Sequence, residues 1–126
     1  MTYFEKNFIT FAILFIVTLI LLSIPLLVKS ETITQIIAEK AHQYGVDPQL
    51  ALYISYKESN WNPNAKGDYK NGKPTSFGIW QIHNPSQKGL TITQSYDLII
   101  STNWAMKTMA KEGCKQWSTC QTSSSL

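Results

Sequence analysis

Residues 56–65 read YKESNWNPNA. Glu58 stands where an apolar helical run, QLALYIS, gives way to a loop rich in Asn and Pro. A glutamate at a solvated helix end does no chemistry. On the buried stripe of the helix it does, because burial disfavours the carboxylate and raises its pKa above the usual value of ~4.3. The negative end of the helix macrodipole pushes the same way. A carboxylic acid that stays protonated near neutral pH is what general-acid catalysis needs. Ile54, Ala51 and Leu50 precede Glu58 by four, seven and eight positions, so the spacing puts Glu58 on the face of the apolar stripe. The competing, inert reading is a surface glutamate paired with Lys57 or a lysine of the loop.

Other reactive side chains are sparse. Cys114 and Cys120 are spaced C-x5-C, which matches no zinc pattern. His42 and His83 stand apart from each other and from both cysteines, so no metal site is expected. The formal net charge is +3, with lysine as the basic residue throughout. Past residue 30 there are nine lysines against seven acids, in no run or stripe. That gives no footprint for nucleic acid. It suits a loose approach to an anionic polymer, or plain solubility.

The elements that must hold Glu58 follow from patterning. Residues 8–28, FITFAILFIVTLILLSIPLLV, carry no charge. As a helix they span about 31 Å at ~1.5 Å per residue, enough to cross a hydrocarbon core of ~30 Å. The run is longer than the ~7–15 apolar residues usual in a signal peptide. An uncleaved membrane anchor is therefore favoured over a cleaved signal, for which Val28-Lys29-Ser30 would be the site. Either way the rest of the chain lies outside the cytoplasm. There a local disulfide between Cys114 and Cys120 is the natural reading, whereas in a cytosolic protein they would be buried thiols.

Residues 31–120 make one small domain, and 121–126 are a polar tail. Ile33, Ile36, Ile37 and Ala41 have helical spacing, with Gly45 as the stop. Asp47 and Pro48 are an N-cap and first residue for the helix that carries Glu58. Residues 60–76 read as a long loop, of a length more often functional than idle. FGIWQI at 77–82 is apolar and partly β-prone. A third helix is expected over 93–112, starting near Ser95 and stopping at Gly113. The fold class is mainly α with one irregular or short β segment in the middle.

Two segments carry a resemblance. ALYISYKESNWNPNA, with its Glu58-Ser59 pair, Asn62-Pro63 and Ala65, precedes SFGIWQI, with Ser76, Gly78 and Gln81 in an S-x-G-x-x-Q pattern. In this order, with this loop between them, they resemble the catalytic domain of soluble lytic transglycosylases, which has a lysozyme-like fold. The likeness covers residues 34 to about 118 and includes YDLIISTNWAMKTMAKEG as the following helix. It implies peptidoglycan as substrate, cut between N-acetylmuramic acid and N-acetylglucosamine. It implies Glu58 as the single acid and base, with the sugar's C6 hydroxyl as nucleophile and a 1,6-anhydro product. No cofactor or metal takes part. Gln81 is then a substrate-binding amide. Ser59 and Ser76 bond Glu58 or the glycan, and Gly78 admits it closely. Trp61 walls the site or stacks on a sugar face.

Ordinary glycosidases use two carboxylates. After Glu58 the acids are Asp68, Asp97 and Glu112. Asp97 reads as a first helical turn and Glu112 as a last one, leaving Asp68 as the candidate second acid. A hydrolysing lysozyme or chitinase of the same fold, with Asp68 positioning water, is the alternative. A non-catalytic glycan-binding membrane protein is another. The family's Ala-Tyr-Asn segment after the third helix has no counterpart in EGCKQWSTCQ. The cleft wall opposite Glu58 is therefore either shorter or built from the Cys114–Cys120 loop.

Overall fold

The computed structural model describes residues 2–23 and 30–120. The Val28-Lys29 part of the possible cleavage site and the polar tail at 121–126 lie outside the described residues. The chain divides into two compact units, Met1–Ser30 and Glu31–Leu126.

In the first unit, α1 is Tyr3–Ser23, a 21-residue helix with a mean hydropathy of 2.1 and no buried residue. By length and composition it can cross a membrane. Its hydroxyls are satisfied within the helix: Thr10 donates to the Lys6 carbonyl at 2.9 Å and Thr18 to that of Leu14 at 2.7 Å.

The second unit begins with α2, Ile33–Gln43. Thr32 and Gln35 form a capping box at its start, each side chain bonding the other's backbone N–H. Ile37 and Ala41 are its buried residues. Asp47 caps α3, Pro48–Ser59, by accepting from the Gln49 N–H at 2.9 Å. This helix buries Ala51, Ile54 and Ser55 against α2 and ends at Asn60, in the left-handed conformation.

The expected long loop contains structure. Strands β1 (Lys66–Gly67), β2 (Ser76–Phe77) and β3 (Ile82–His83) form an antiparallel sheet in the order β1-β2-β3. Its register pairs Gly67 with Ser76, and Ser76 with His83. Strands of two residues carry no readable alternation, which is why the sequence showed only a loop and an apolar hexapeptide.

A short 3-10 turn, Pro85–Lys88, follows. The expected single helix over 93–112 is two: α4, Ile92–Tyr96, and α5, Leu98–Glu112. The break falls at Asp97, whose extended backbone (φ −73°, ψ 120°) ends one helix while its carboxylate accepts from the Ile100 N–H at 2.8 Å and caps the next.

The core gathers at the β2–β3 turn. Trp80 is wholly buried, its indole N–H donating to Thr102 of α5 at 3.0 Å. Trp117 packs edge-on to it at 6.0 Å and donates to the Trp80 carbonyl at 2.9 Å. Trp104 packs edge-on to Trp117 at the same separation. An aromatic of this size removes roughly 150–250 Å² from water, worth about 4–6 kcal/mol before ordering costs. Trp80 and Phe77 are thus core residues. The Trp80–Trp117 contact also fixes the chain just after α5, where Cys114 and Cys120 are joined in a disulfide with Cα atoms 5.5 Å apart.

Candidate active site

Glu58 lies in the last turn of α3, on the face of Ala51 and Ile54, half-buried at the edge of the core. Among the described residues it is the one acid that is not exposed. Burial and two neighbouring groups act on its carboxyl. Desolvation is the largest influence and raises its pKa above the ordinary 4.5. A hydrogen bond from Thr119 opposes this, the hydroxyl donating to Oε1 at 2.9 Å. The charge of Asp68 raises the pKa again. The net direction is upward, as burial on the apolar stripe predicts.

Thr119 comes from the Cys114–Cys120 loop, so that loop reaches Glu58 through this one hydroxyl. The sequence left open whether the cleft wall was short or built from the loop. Thr119 itself gave no sequence signal, since its position depends on Trp117 seating in the core two residues earlier.

Asp68 follows β1 and has a left-handed backbone, φ +50°. Three side chains meet there. The Ser76 hydroxyl donates to the Asp68 carboxylate. Ser76 Oγ lies 3.1 Å from His83 Nδ1, and that nitrogen lies 3.8 Å from Asp68 Oδ2. Serine, histidine and aspartate together suggest a nucleophilic triad, but Ser76 is 0% exposed and its proton is given to Asp68. No substrate reaches it. His83 had looked isolated in the sequence. The missing signal was the strand register, which sets residue 83 opposite residue 76.

The other expected site residues divide. Ser59 donates to the Ile79 carbonyl at 2.8 Å, tying the end of α3 to the β2–β3 turn. Gly78 (φ +78°) permits a close approach, but to the protein itself: a Cβ there would stand 1.9 Å from the Ser95 carbonyl oxygen. Gln81 donates through Nε2 to the Gly78 carbonyl at 2.9 Å. It also lines a small pocket with His83, Lys88, Trp104 and Gln116. Trp61 is turned away. It packs against Tyr56 with the ring planes tilted by 58° and the centroids 4.9 Å apart, in a shallow groove with Gln49, Leu52 and Tyr53. Those helical positions are spaced by three and four on the side of α3 roughly opposite Glu58.

The arrangement therefore holds one protonatable carboxyl at the edge of the core, a hydroxyl that stabilises its ionised form, and a polar surface from the sheet. Among the described residues no group of three or more His, Cys, Asp or Glu side chains could hold a metal ion. The family model described as the transglycosylase SLT domain matches residues 35–119. No curated protein and no solved structure matches the chain.

Proposed function

The chain belongs to the transglycosylase SLT domain family, and on that premise we propose that it cuts peptidoglycan between N-acetylmuramic acid and N-acetylglucosamine with Glu58 as its single acid and base. The family match supports glycosidic bond cleavage as the reaction class. The observation that carries the finer reading is the environment of Glu58: a desolvated carboxyl with a raised pKa, met by one hydroxyl donor.

In the first step the protonated Glu58 gives its proton to the glycosidic oxygen as the bond to the anomeric carbon breaks. The carboxylate left behind accepts the Thr119 hydroxyl. In the second step that carboxylate takes the proton of the muramic acid C6 hydroxyl, whose oxygen bonds to the anomeric carbon. The product is a 1,6-anhydro sugar, Glu58 is protonated again, and no water is consumed. The helix Tyr3–Ser23 would anchor the domain to the membrane and hold it outside the cytoplasm, where the Cys114–Cys120 disulfide persists. Gln81, with Gln116 in the adjoining pocket, offers amides for sugar hydroxyl or acetamido groups.

Hydrolysis is the second reading, favoured by Asp68, whose charge is felt at Glu58. Digestion of purified peptidoglycan by the full chain in detergent separates the two. Anhydro-ended fragments, lighter by one water than those with a free reducing end, support the transglycosylase. Reducing ends support the hydrolase. If Glu58→Gln and the unmodified chain release equal amounts of soluble fragments, the reading of Glu58 as the acid fails.

A further inference from the structure

The groove beside Trp61 is walled by aromatic rings that the fold holds in place. Asn60 ends α3 in the left-handed conformation, and Trp61 follows in the same region at φ +59°, which bulky side chains rarely adopt. The indole that this turn presents is tied down. Its N–H reaches back six positions and donates to the Ser55 hydroxyl at 3.2 Å. Ser55 is wholly buried, and its own proton is shared between the Ala51 and Leu52 carbonyls, at 2.8 and 3.1 Å. With its N–H satisfied inside the protein, Trp61 offers the groove a ring and no donor. Tyr56, tilted against it, is left 47% exposed.

The groove offers about 360 Å³, at the lower end of the ~300–1,000 Å³ of small-ligand sites. Three rings, Tyr53, Tyr56 and Trp61, line it with Leu52, and the Gln49 amide adds both a donor and an acceptor. Lys57 sets its ammonium group over the Tyr53 ring, 5.8 Å from the centroid. Among the described residues no acid lines the groove. A pyranose ring suits such walls. Its axial C–H bonds form an apolar face for an aromatic ring, and its hydroxyl and acetamido groups project from the rim towards amides and phenols. The peptide stems of a peptidoglycan strand add carboxylates, to which Lys57 is complementary. An apolar helix would meet the rings and leave Lys57 without a counter-charge.

We propose that this groove is a second glycan-binding site, which holds an amino-sugar strand of the polymer on the side of α3 away from Glu58. The inference rests on the reading of peptidoglycan as substrate and not on the identity of the acid. A helix is about 10–12 Å across with its side chains, so a strand seated here leaves Glu58 open to another stretch of the polymer. Two sites on one polymer make the second contact intramolecular and raise the apparent affinity. A short oligosaccharide fills one site at a time and gains nothing from the pair. The groove thus keeps the domain on the wall between cuts.

The test reads the Trp61 indole N–H by NMR in the full chain in detergent micelles, with Trp61→Phe identifying the signal. The probe is a tetramer of N-acetylglucosamine. The signal should shift and saturate as the tetramer is added. Tyr56→Leu keeps apolar bulk and removes the ring; it should weaken the Kd read at Trp61 by roughly two- to tenfold, the worth of one aromatic contact. Tyr56→Trp should restore it. Binding to insoluble peptidoglycan should fall for Tyr56→Leu and for Lys57→Gln. A Trp61 signal that does not move, or equal affinity in Tyr56→Leu and the unmodified chain, overturns the site. So does a signal that moves with protein concentration alone, which puts a second copy of the chain in the groove. If Trp61 responds to the tetramer while the unmodified chain releases no fragments from peptidoglycan, the groove stands and the catalytic reading fails. If fragments are released while Trp61 does not respond, the catalytic reading stands and the groove fails.

Discussion

The Thr119 hydroxyl donates to Glu58 Oε1 at 2.9 Å across 61 positions of chain. It is the one influence on that carboxyl that favours ionisation; desolvation and the charge of Asp68 both oppose it. Thr119→Val, which keeps the shape and deletes the donor, should therefore let Glu58 hold its proton to higher pH. The high-pH limb of kcat/KM should move upward, with little change on the plateau. A limb that stays in place, or moves to lower pH, contradicts the bond's role.

Thr119 reaches Glu58 because the chain after α5 is pinned twice, by Trp117 on the Trp80 carbonyl and by the Cys114–Cys120 bond. Closing so short a loop is worth about 2 kcal/mol in the chain-entropy account. Cys114→Ser/Cys120→Ser should lose up to that much in urea unfolding. It should also reproduce part of the pH shift of Thr119→Val. Combined with Thr119→Val it should add little to that shift, because both changes break one contact. Full additivity would mean that the disulfide acts on Glu58 by another route.

Glu58 was legible because its position depends only on helical spacing within α3. The helix bounds were legible where one residue does one job, as Asp47, Pro48 and Gly45 do. Asp97 does two jobs, ending α4 and capping α5, and the continuous apolar spacing around it hid the break. The Asp68–Ser76–His83 group was hidden for a different reason: it is a product of strand register, and two-residue strands leave no pattern. Ser59 and Gly78 stand in the motif that suggested sugar contacts, but their observed partners are the Ile79 and Ser95 carbonyls. A motif records which residues are needed together without saying whether they meet the ligand or each other.

Gly78 makes that distinction measurable. Its φ of +78° costs an alanine roughly 1–2 kcal/mol. The added Cβ would also overlap the Ser95 carbonyl oxygen, which overpacked sites pay for with about 1–3 kcal/mol. Gly78→Ala should thus remove a large share of the stability of a domain that has about 5–15 kcal/mol in all. Urea unfolding should show a midpoint far below that of the unmodified chain. Unchanged stability with weakened glycan binding would instead assign Gly78 to the substrate.

Function and stability oppose each other at Glu58. The folded state raises this group's pKa, so it favours the protonated form. Its contribution to stability is fully present below the ordinary value of 4.5 and is lost as pH rises through the raised value. Above that, a half-buried carboxylate is carried at a cost, partly offset by Thr119. Glutamine fills the same space, accepts the same hydroxyl and cannot ionise. Glu58→Gln should therefore melt higher than the unmodified chain at pH 8, with the gain shrinking towards zero at pH 4. In a domain of this size each kcal/mol corresponds to roughly 4–8 °C. The same change should lower turnover by about 10²–10⁴-fold, the usual contribution of a general acid. Melting curves at the two pH values, read beside the rate, check both halves. Equal melting at pH 8 would mean that the carboxylate is not desolvated, and the case for a protonated acid at that position would fall with it.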